Sequence, residues 1–370
     1  MSEELRKTPL NDWHRAHGAK MVPFAGWDMP IQYEAGSIEE HRLVRRSAGL
    51  FDITHMGRFT VRGERAAELL DYLITSDIGG LSPYGSRYGL LCREDGGILD
   101  DLFVYRMPEH YLIVVNASNR GKDFDWISRY ARERDVEIED ISDRMGMLAL
   151  QGPNAIPLLD ALTAGETSGI ERFYCKRLEL LGVSLLAGRT GYTGEDGVEL
   201  YLPADALHTI WEGLLAAGEK HGIEIGPVGL AARDSLRFEP GFPLYGHELS
   251  EEVTPIEARL KWACELEKDF VGKPVIERQA REGTSRRLVT LRLIDKGVPR
   301  EGYTILNEEE KPIGEVVTGM YAPTVDAYCA NAYVESAYRK RGTSILVRIR
   351  DRTKRAEVVK RPLYKPAYRG

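Results

Sequence analysis

A polar, charged stretch at 279–287 separates two different patterns in this chain, and that break constrains the fold more than any other feature of the sequence. After it, no helical periodicity remains. Short apolar runs at 288–293, 303–306, 314–318, 328–334, 344–349 and 356–359 are separated by turn residues, which suits a small barrel or sandwich. Before it, amphipathic stretches of helical period (64–74, 122–133, 155–162 and 205–220) alternate with strand-like runs at 59–61, 88–92, 98–105, 111–115, 147–150, 183–187 and 198–202. Neighbouring runs are joined by short turns, so the sheets are expected to be antiparallel and the class α+β. Thr8-Pro9 is expected to cap a short helix ending near His17. Ser37-x-x-Glu40 reads as a capping box for a helix running toward Ser47.

At 370 residues the chain exceeds one ordinary core. The expected division is an α+β region of two lobes over 1–280 and an all-β region over 284–370. No apolar run approaches the ~20 residues that span a bilayer. The acidic start, Met1-Ser2-Glu3-Glu4, has no apolar leader, so a cytoplasmic location is expected. Cys92, Cys175, Cys264 and Cys329 are far apart and read as small buried hydrophobes rather than disulfides or metal ligands. His14-x-x-His17 lacks a third ligand, so no metal is expected. Net charge is −7, yet residues 338–370 carry 12 Lys/Arg against 2 Asp/Glu. That basic end suits an acidic partner or, equally, a solvated strand face alternating with Ile345, Val347 and Ile349. Without clustered aromatics or a recognisable module it does not point to nucleic acid. Phosphate loops, GxGxxG and GxSxG are absent, which leaves metal-free and nucleotide-free chemistry.

The segment Gly96-Gly97-Ile98-Leu99-Asp100-Asp101-Leu102-Phe103-Val104-Tyr105 starts a strand with two apolar faces. Alternation places Asp100 with Ile98, Leu102 and Val104, and Asp101 with Leu99, Phe103 and Tyr105. An unpaired carboxylate on such a face costs several kcal/mol, so each needs a partner or a purpose. Asp100 reads as tying down the turn. Asp101, beside aromatic rings, suits a flat ligand. Two further segments could carry chemistry. In Gly188-Arg189-Thr190-Gly191-Tyr192-Thr193-Gly194-Glu195-Asp196-Gly197-Val198-Glu199, Glu195 is either a solvated loop acid or a clamp accepting two parallel N–H donors. In Gly229-Leu230-Ala231-Ala232-Arg233-Asp234-Ser235-Leu236-Arg237, Arg233 and Arg237 share one helical face. They form a surface network, or Arg233 is a buried guanidinium awaiting an acceptor.

These three segments, with Phe24-Ala25-Gly26-Trp27-Asp28-Met29-Pro30 and Phe51-Asp52-Ile53-Thr54-His55-Met56-Gly57, resemble in order and spacing the aminomethyltransferase (T-protein) family of the glycine cleavage system. The resemblance covers about 8–368. It implies a cloverleaf of α+β lobes, of ferredoxin-like antiparallel sheets, around a folate-filled hole, with a C-terminal β-barrel. It implies transfer of an aminomethyl carbon from the lipoyl arm of the H-protein carrier to tetrahydrofolate, giving 5,10-methylenetetrahydrofolate and ammonia. The co-substrate is then tetrahydrofolate and the partner a lipoylated, typically acidic carrier that the basic end would help to dock. Carried over by motif, Asp101 is the catalytic acid near folate N10, and Glu195 and Arg233 hold pterin and substrate. Met56, Tyr88, Phe103, Tyr105 and Asn116 line the pocket, and Tyr368 is the matching position near the C-terminus. Within the same superfamily, a folate-dependent demethylase is one alternative. Another is a non-enzymatic folate-binding protein, although its Lys-Gly-Cys-x-x-Gly-Gln-Glu signature does not occur here.

Overall fold

A computed structural model describes residues 4–365 of the chain. Two large sheets, beside a two-stranded hairpin of Lys20–Phe24 and Trp27–Gln32, form the first region. One has five antiparallel strands in the order Ser86–Cys92, Ile98–Arg106, Tyr111–Val115, Gly57–Arg62 and Glu137–Asp140. The other has six, in the order Cys175–Leu180, Val183–Gly188, Gly197–Pro203, Met145–Gln151, Ala48–Asp52 and Ile225–Pro227, with the last pair parallel. Each sheet buries its outer face under helices, Ala66–Leu73 and Arg120–Arg132 on the first and Ala155–Leu162 and Leu207–His221 on the second. A third cluster, including Phe51, Ile53, Val114, Met147, Leu186, Tyr201 and Leu236, packs their inner faces together. Strands from Arg286 onward close a six-stranded barrel around Val289, Leu291, Ile305, Val316, Ala332 and Val347. The expected α+β class with a C-terminal barrel is therefore what the chain adopts.

The stretch 279–287 is not an open linker. Its first residues complete the helix Lys273–Glu282, whose buried contact is Ile276, and Arg286 already belongs to the barrel. A helix with a single buried contact does not announce itself by periodicity. The capping box is also absent, because Gly36 precedes the helix Ser37–Arg46 without a side-chain cap. Glu40 is instead buried, accepting from the Tyr33 and Gly229 amides at 2.5 and 2.9 Å. Thr8 supplies a backbone carbonyl to Asn11 rather than a side-chain cap. On the barrel hairpin Ile345, Val347, Ala356 and Val358 point inward while Arg348, Arg350, Arg352 and Arg355 are exposed, the pattern of a solvated strand face.

The Gly-Gly turn shows what each glycine does. Gly96 has φ +84°, which closes the reversal at 93–97, and Asp95 caps it by accepting from the Gly97 amide at 3.0 Å. A Cβ on Gly97 would stand 2.1 Å from the Glu251 carbonyl oxygen, a backbone atom that cannot rotate away. Gly97→Ala is therefore expected to destabilise the fold by about 1–3 kcal/mol. The check is the urea midpoint, which should fall with m unchanged; an unmoved midpoint contradicts this packing.

Candidate active site

Between the two sheets and the segment 240–265 lies a cavity of about 930 Å³, within the size range of small-molecule sites. The strand Ile98–Arg106 carries Asp101 and Phe103 to its wall. The neighbouring strand Ser86–Cys92 adds Tyr88, whose Cα partner across the pair is Phe103. Met56 enters after the strand Ala48–Asp52, and Asn116 follows Tyr111–Val115. The structure thus brings Met56, Tyr88, Asp101, Phe103, Asn116 and Arg233 together.

Asp101 is held at both oxygens. Asn116 Nδ2 donates to Oδ1 at 2.8 Å and the Tyr88 hydroxyl to Oδ2 at 3.1 Å. Burial, reinforced by the charge of Asp100, pushes its carboxyl up to about 7, far above the usual 3.8. Asp100 is fully buried and ties down a different corner from the one expected. It accepts from the Asn116 amide at 3.0 Å, Asn116 Nδ2 at 2.9 Å and Asn119 Nδ2 at 2.6 Å, while Asp95 holds the turn. Aromatic rings wall the space around Asp101. Phe103 lies parallel to Phe173 with centroids 6.4 Å apart, and Tyr88 stacks on Trp262 at 5.4 Å. Phe173 and Trp262 remain 45% and 71% exposed, so the wall continues out to the rim. Neither was legible from sequence, since both are far from Asp101 along the chain and sit in no motif.

Two residues read as ligand groups lie elsewhere. Glu195 is not on the cavity wall. Its Oε1 pairs with Arg45 Nη1 at 2.9 Å, and Arg45 also engages Glu239 at 2.9 Å. Tyr105 is fully buried beneath the wall, hydrogen-bonded to Thr190 Oγ1 at 2.7 Å and Tyr201 at 3.2 Å. Tyr368 falls outside the described residues. The carboxylate that does face the cavity from this quarter is Glu199, at the start of the strand Gly197–Pro203. Only its Oε2 is engaged, most closely by Thr190 Oγ1 at 2.6 Å; among the described residues Oε1 has no hydrogen-bond partner. Burial raises this carboxyl, and Arg233 opposes the shift. The Arg233 guanidinium in turn lies 4.5 Å over the Tyr192 ring and makes no hydrogen bond among the described residues. An anion with a spare oxygen and a cation with spare donors thus line one cavity, and both suit a flat, polar heterocycle. The signal for Glu199 was present in the sequence: a lone acid between Val198 and Leu200 on a buried strand.

The two histidines considered as ligands are occupied structurally. His14 lies between Asp52 at 3.1 Å and the Tyr33 hydroxyl at 2.8 Å, and His17 stacks on Trp13. Among the described residues no helix is long and apolar enough to cross a membrane. Of the basic end, Arg361 and Pro362 reach the cavity wall.

Known proteins resemble this chain along its whole length. Residues 10–268 match the family model described as the GCVT N-terminal domain, and residues 286–365 match the glycine cleavage T-protein C-terminal barrel domain. An aminomethyltransferase of Symbiobacterium thermophilum is 45% identical, with all of both chains covered. One from Desulforamulus reducens is 44% identical over 98% of this chain and 99% of its own. The crystal structure of glycine cleavage system aminomethyltransferase T from Bartonella henselae superposes with a TM-score of 0.91 at 34% identity, covering 98% of this chain and 99% of that one.

Proposed function

Since the chain belongs to the aminomethyltransferase (T-protein) family of the glycine cleavage system, we propose that the cavity seats tetrahydrofolate beside Asp101 and receives the aminomethyl group from the lipoyl arm of a carrier protein. Family membership places the activity with aminomethyl transfer rather than with the demethylase or the non-enzymatic folate binder. The observation that carries the seat is the pair Glu199 Oε1 and the Arg233 guanidinium, which have no hydrogen-bond partner among the described residues and line the same cavity as the rings of Tyr88, Phe103 and Phe173. Glu199 would accept from the pterin's parallel N–H donors, and Arg233 would donate to a carbonyl oxygen. When bound, the folate supplies the two nitrogens that take up the carbon.

The chain's own work is electrostatic. A carbon held between sulfur and nitrogen becomes cationic when either heteroatom leaves. Asp101, fixed by Asn116 and Tyr88 in an apolar pocket, stabilises that charge. Its carboxyl sits near neutrality, which also suits it to pass protons to and from the amine. Phe173 and Trp262 shield the path and give the lipoyl arm apolar surface at the rim.

The direct test mixes the protein, tetrahydrofolate and an aminomethylated lipoyl carrier, then follows ammonia and methylenetetrahydrofolate together. Both should form in equal amounts; a methyl product without ammonia rules this reading out. The pH profile adds a second check. The working form of Asp101 is ionised, so kcat is expected to be full well above pH 7 and to fall as pH drops through about 7. Stability runs the other way. Because the folded pKa is raised, Asp101's contribution to stability is fully present below about pH 4 and is lost as pH rises through about 7.

A further inference from the structure

Behind the strand Ile98–Arg106 stands a second carboxyl for which the reaction above has no use. Asp123, in the first turn of the helix Arg120–Arg132, is 0% exposed, and neither of its oxygens meets a hydrogen-bond donor among the described residues. It faces Asp100, which is equally buried but accepts three N–H donors from Asn116 and Asn119. Two carboxylates sharing a dry site cannot both be ionised, and contact between them requires a proton on one. The distribution of donors decides which. Asp100 is solvated by amides as an anion, whereas an ionised Asp123 would be solvated by nothing.

We propose that Asp123 is a positioning residue that remains protonated at neutral pH and donates its O–H to Asp100, so that Asp100 stays anionic and keeps Asn116 aimed at Asp101. The charged and titratable groups around Asp123 agree with this assignment. Burial pushes its carboxyl well above the carboxylate range, Asp100, which faces it from the strand, adds to the push, and the charge of Asp101 on the strand's other face adds a smaller part. Lys122, on its own helix, is the opposing cation, but its Nζ is directed to Tyr245 and Glu251 at 2.9 and 3.1 Å. The helix N-terminus would favour an anion by only about 0.3–1 kcal/mol, less than the several kcal/mol that burying an unpaired carboxylate costs. In this chain of contacts, the anionic Asp100 is the like charge that helps to hold Asp101 near neutrality.

The kinetic readout rests on the role of Asp101 proposed above; the spectroscopic one does not. Infrared spectra of the whole protein at about pH 9, where ordinary carboxyls are ionised, should contain a protonated-carboxyl carbonyl band that Asp123→Asn removes. No such difference overturns the protonated state, whatever Asp101 does. In the pH profile of kcat, Asp123→Asn, whose amide still donates to Asp100, should keep the acid limb in place. Asp123→Leu removes the donor, so Asp100 takes up the proton and its charge on Asp101 is lost. The limb should then move down by about one pH unit, with kcat about tenfold lower and KM little changed. A limb that stays put in the Leu variant overturns positioning, and a limb that moves as far in the Asn variant overturns the protonated state. Should the Leu variant fail to fold, the infrared comparison still decides.

Discussion

Asp101→Asn is expected to lower kcat for aminomethyl transfer by about 10³-fold while tetrahydrofolate affinity stays within a few-fold of the parent. The substitution keeps the volume of the side chain, and its amide oxygen still accepts from Asn116, so the wall formed by Tyr88, Phe103 and Asn116 keeps its shape. What disappears is the negative charge and the proton that Asp101 can exchange near pH 7. A cationic carbon beside these rings then loses the counter-charge that Asn116 and Tyr88 hold in place. The same change should make the protein more stable at about pH 8, by an amount on the order of 1–3 kcal/mol, because the parent keeps an ionised acid in a place that favours the neutral form. Steady-state kinetics and thermal unfolding on one preparation test both halves. Loss of rate together with loss of stability points instead to a structural role for Asp101, and a retained rate removes it from the chemistry.

Where the sequence was informative, it was so through burial arithmetic. Asp101 stood out because a carboxylate on an apolar strand face needs a reason, and the structure supplies a cavity, two donors and a raised pKa. The identical argument applies to Glu199 between Val198 and Leu200, but the glycine-rich loop just before it draws attention to Glu195 instead. Alternation gives the face of a residue and not its depth. Phe103 and Tyr105 share a face, yet Tyr105 lies under the other sheet. There Gly188 makes room for it, since a Cβ at that glycine would stand 2.7 Å from the tyrosine hydroxyl oxygen. The polar run at 279–287 resembled a linker because the helix ending there exposes most of its surface. Long-range assembly was the least legible: Phe173 reaches the rim from a turn and Trp262 from the short helical turn Lys261–Ala263, and their meeting is decided by how the sheets and the 240–265 segment pack.

The two carboxylates of that glycine-rich segment should separate cleanly on substitution. Glu199→Gln keeps the length of the side chain, and its amide oxygen can still accept from Thr190. It replaces the cavity-facing oxygen with an NH₂ group set against the pterin's N–H donors. Losing one charge-assisted pair and gaining a donor–donor clash amounts to about 3 kcal/mol, so tetrahydrofolate should bind about 10²-fold more weakly. The fold should be unharmed, because burial already disfavours the ionised form of Glu199. Glu195→Gln should do the reverse. Its oxygen belongs to a pair with Arg45 in which the side chains are 8% and 10% exposed, and Arg45 keeps Glu239 and the Tyr364 ring after the change. About 1–2 kcal/mol of stability should go, with folate affinity within about twofold of the parent. Titration calorimetry with tetrahydrofolate and urea unfolding of both variants give four numbers that must cross. If Glu195→Gln weakens folate as much as Glu199→Gln, the pterin is not held where the unsatisfied Glu199 oxygen and Arg233 point, and the seat proposed for it is wrong.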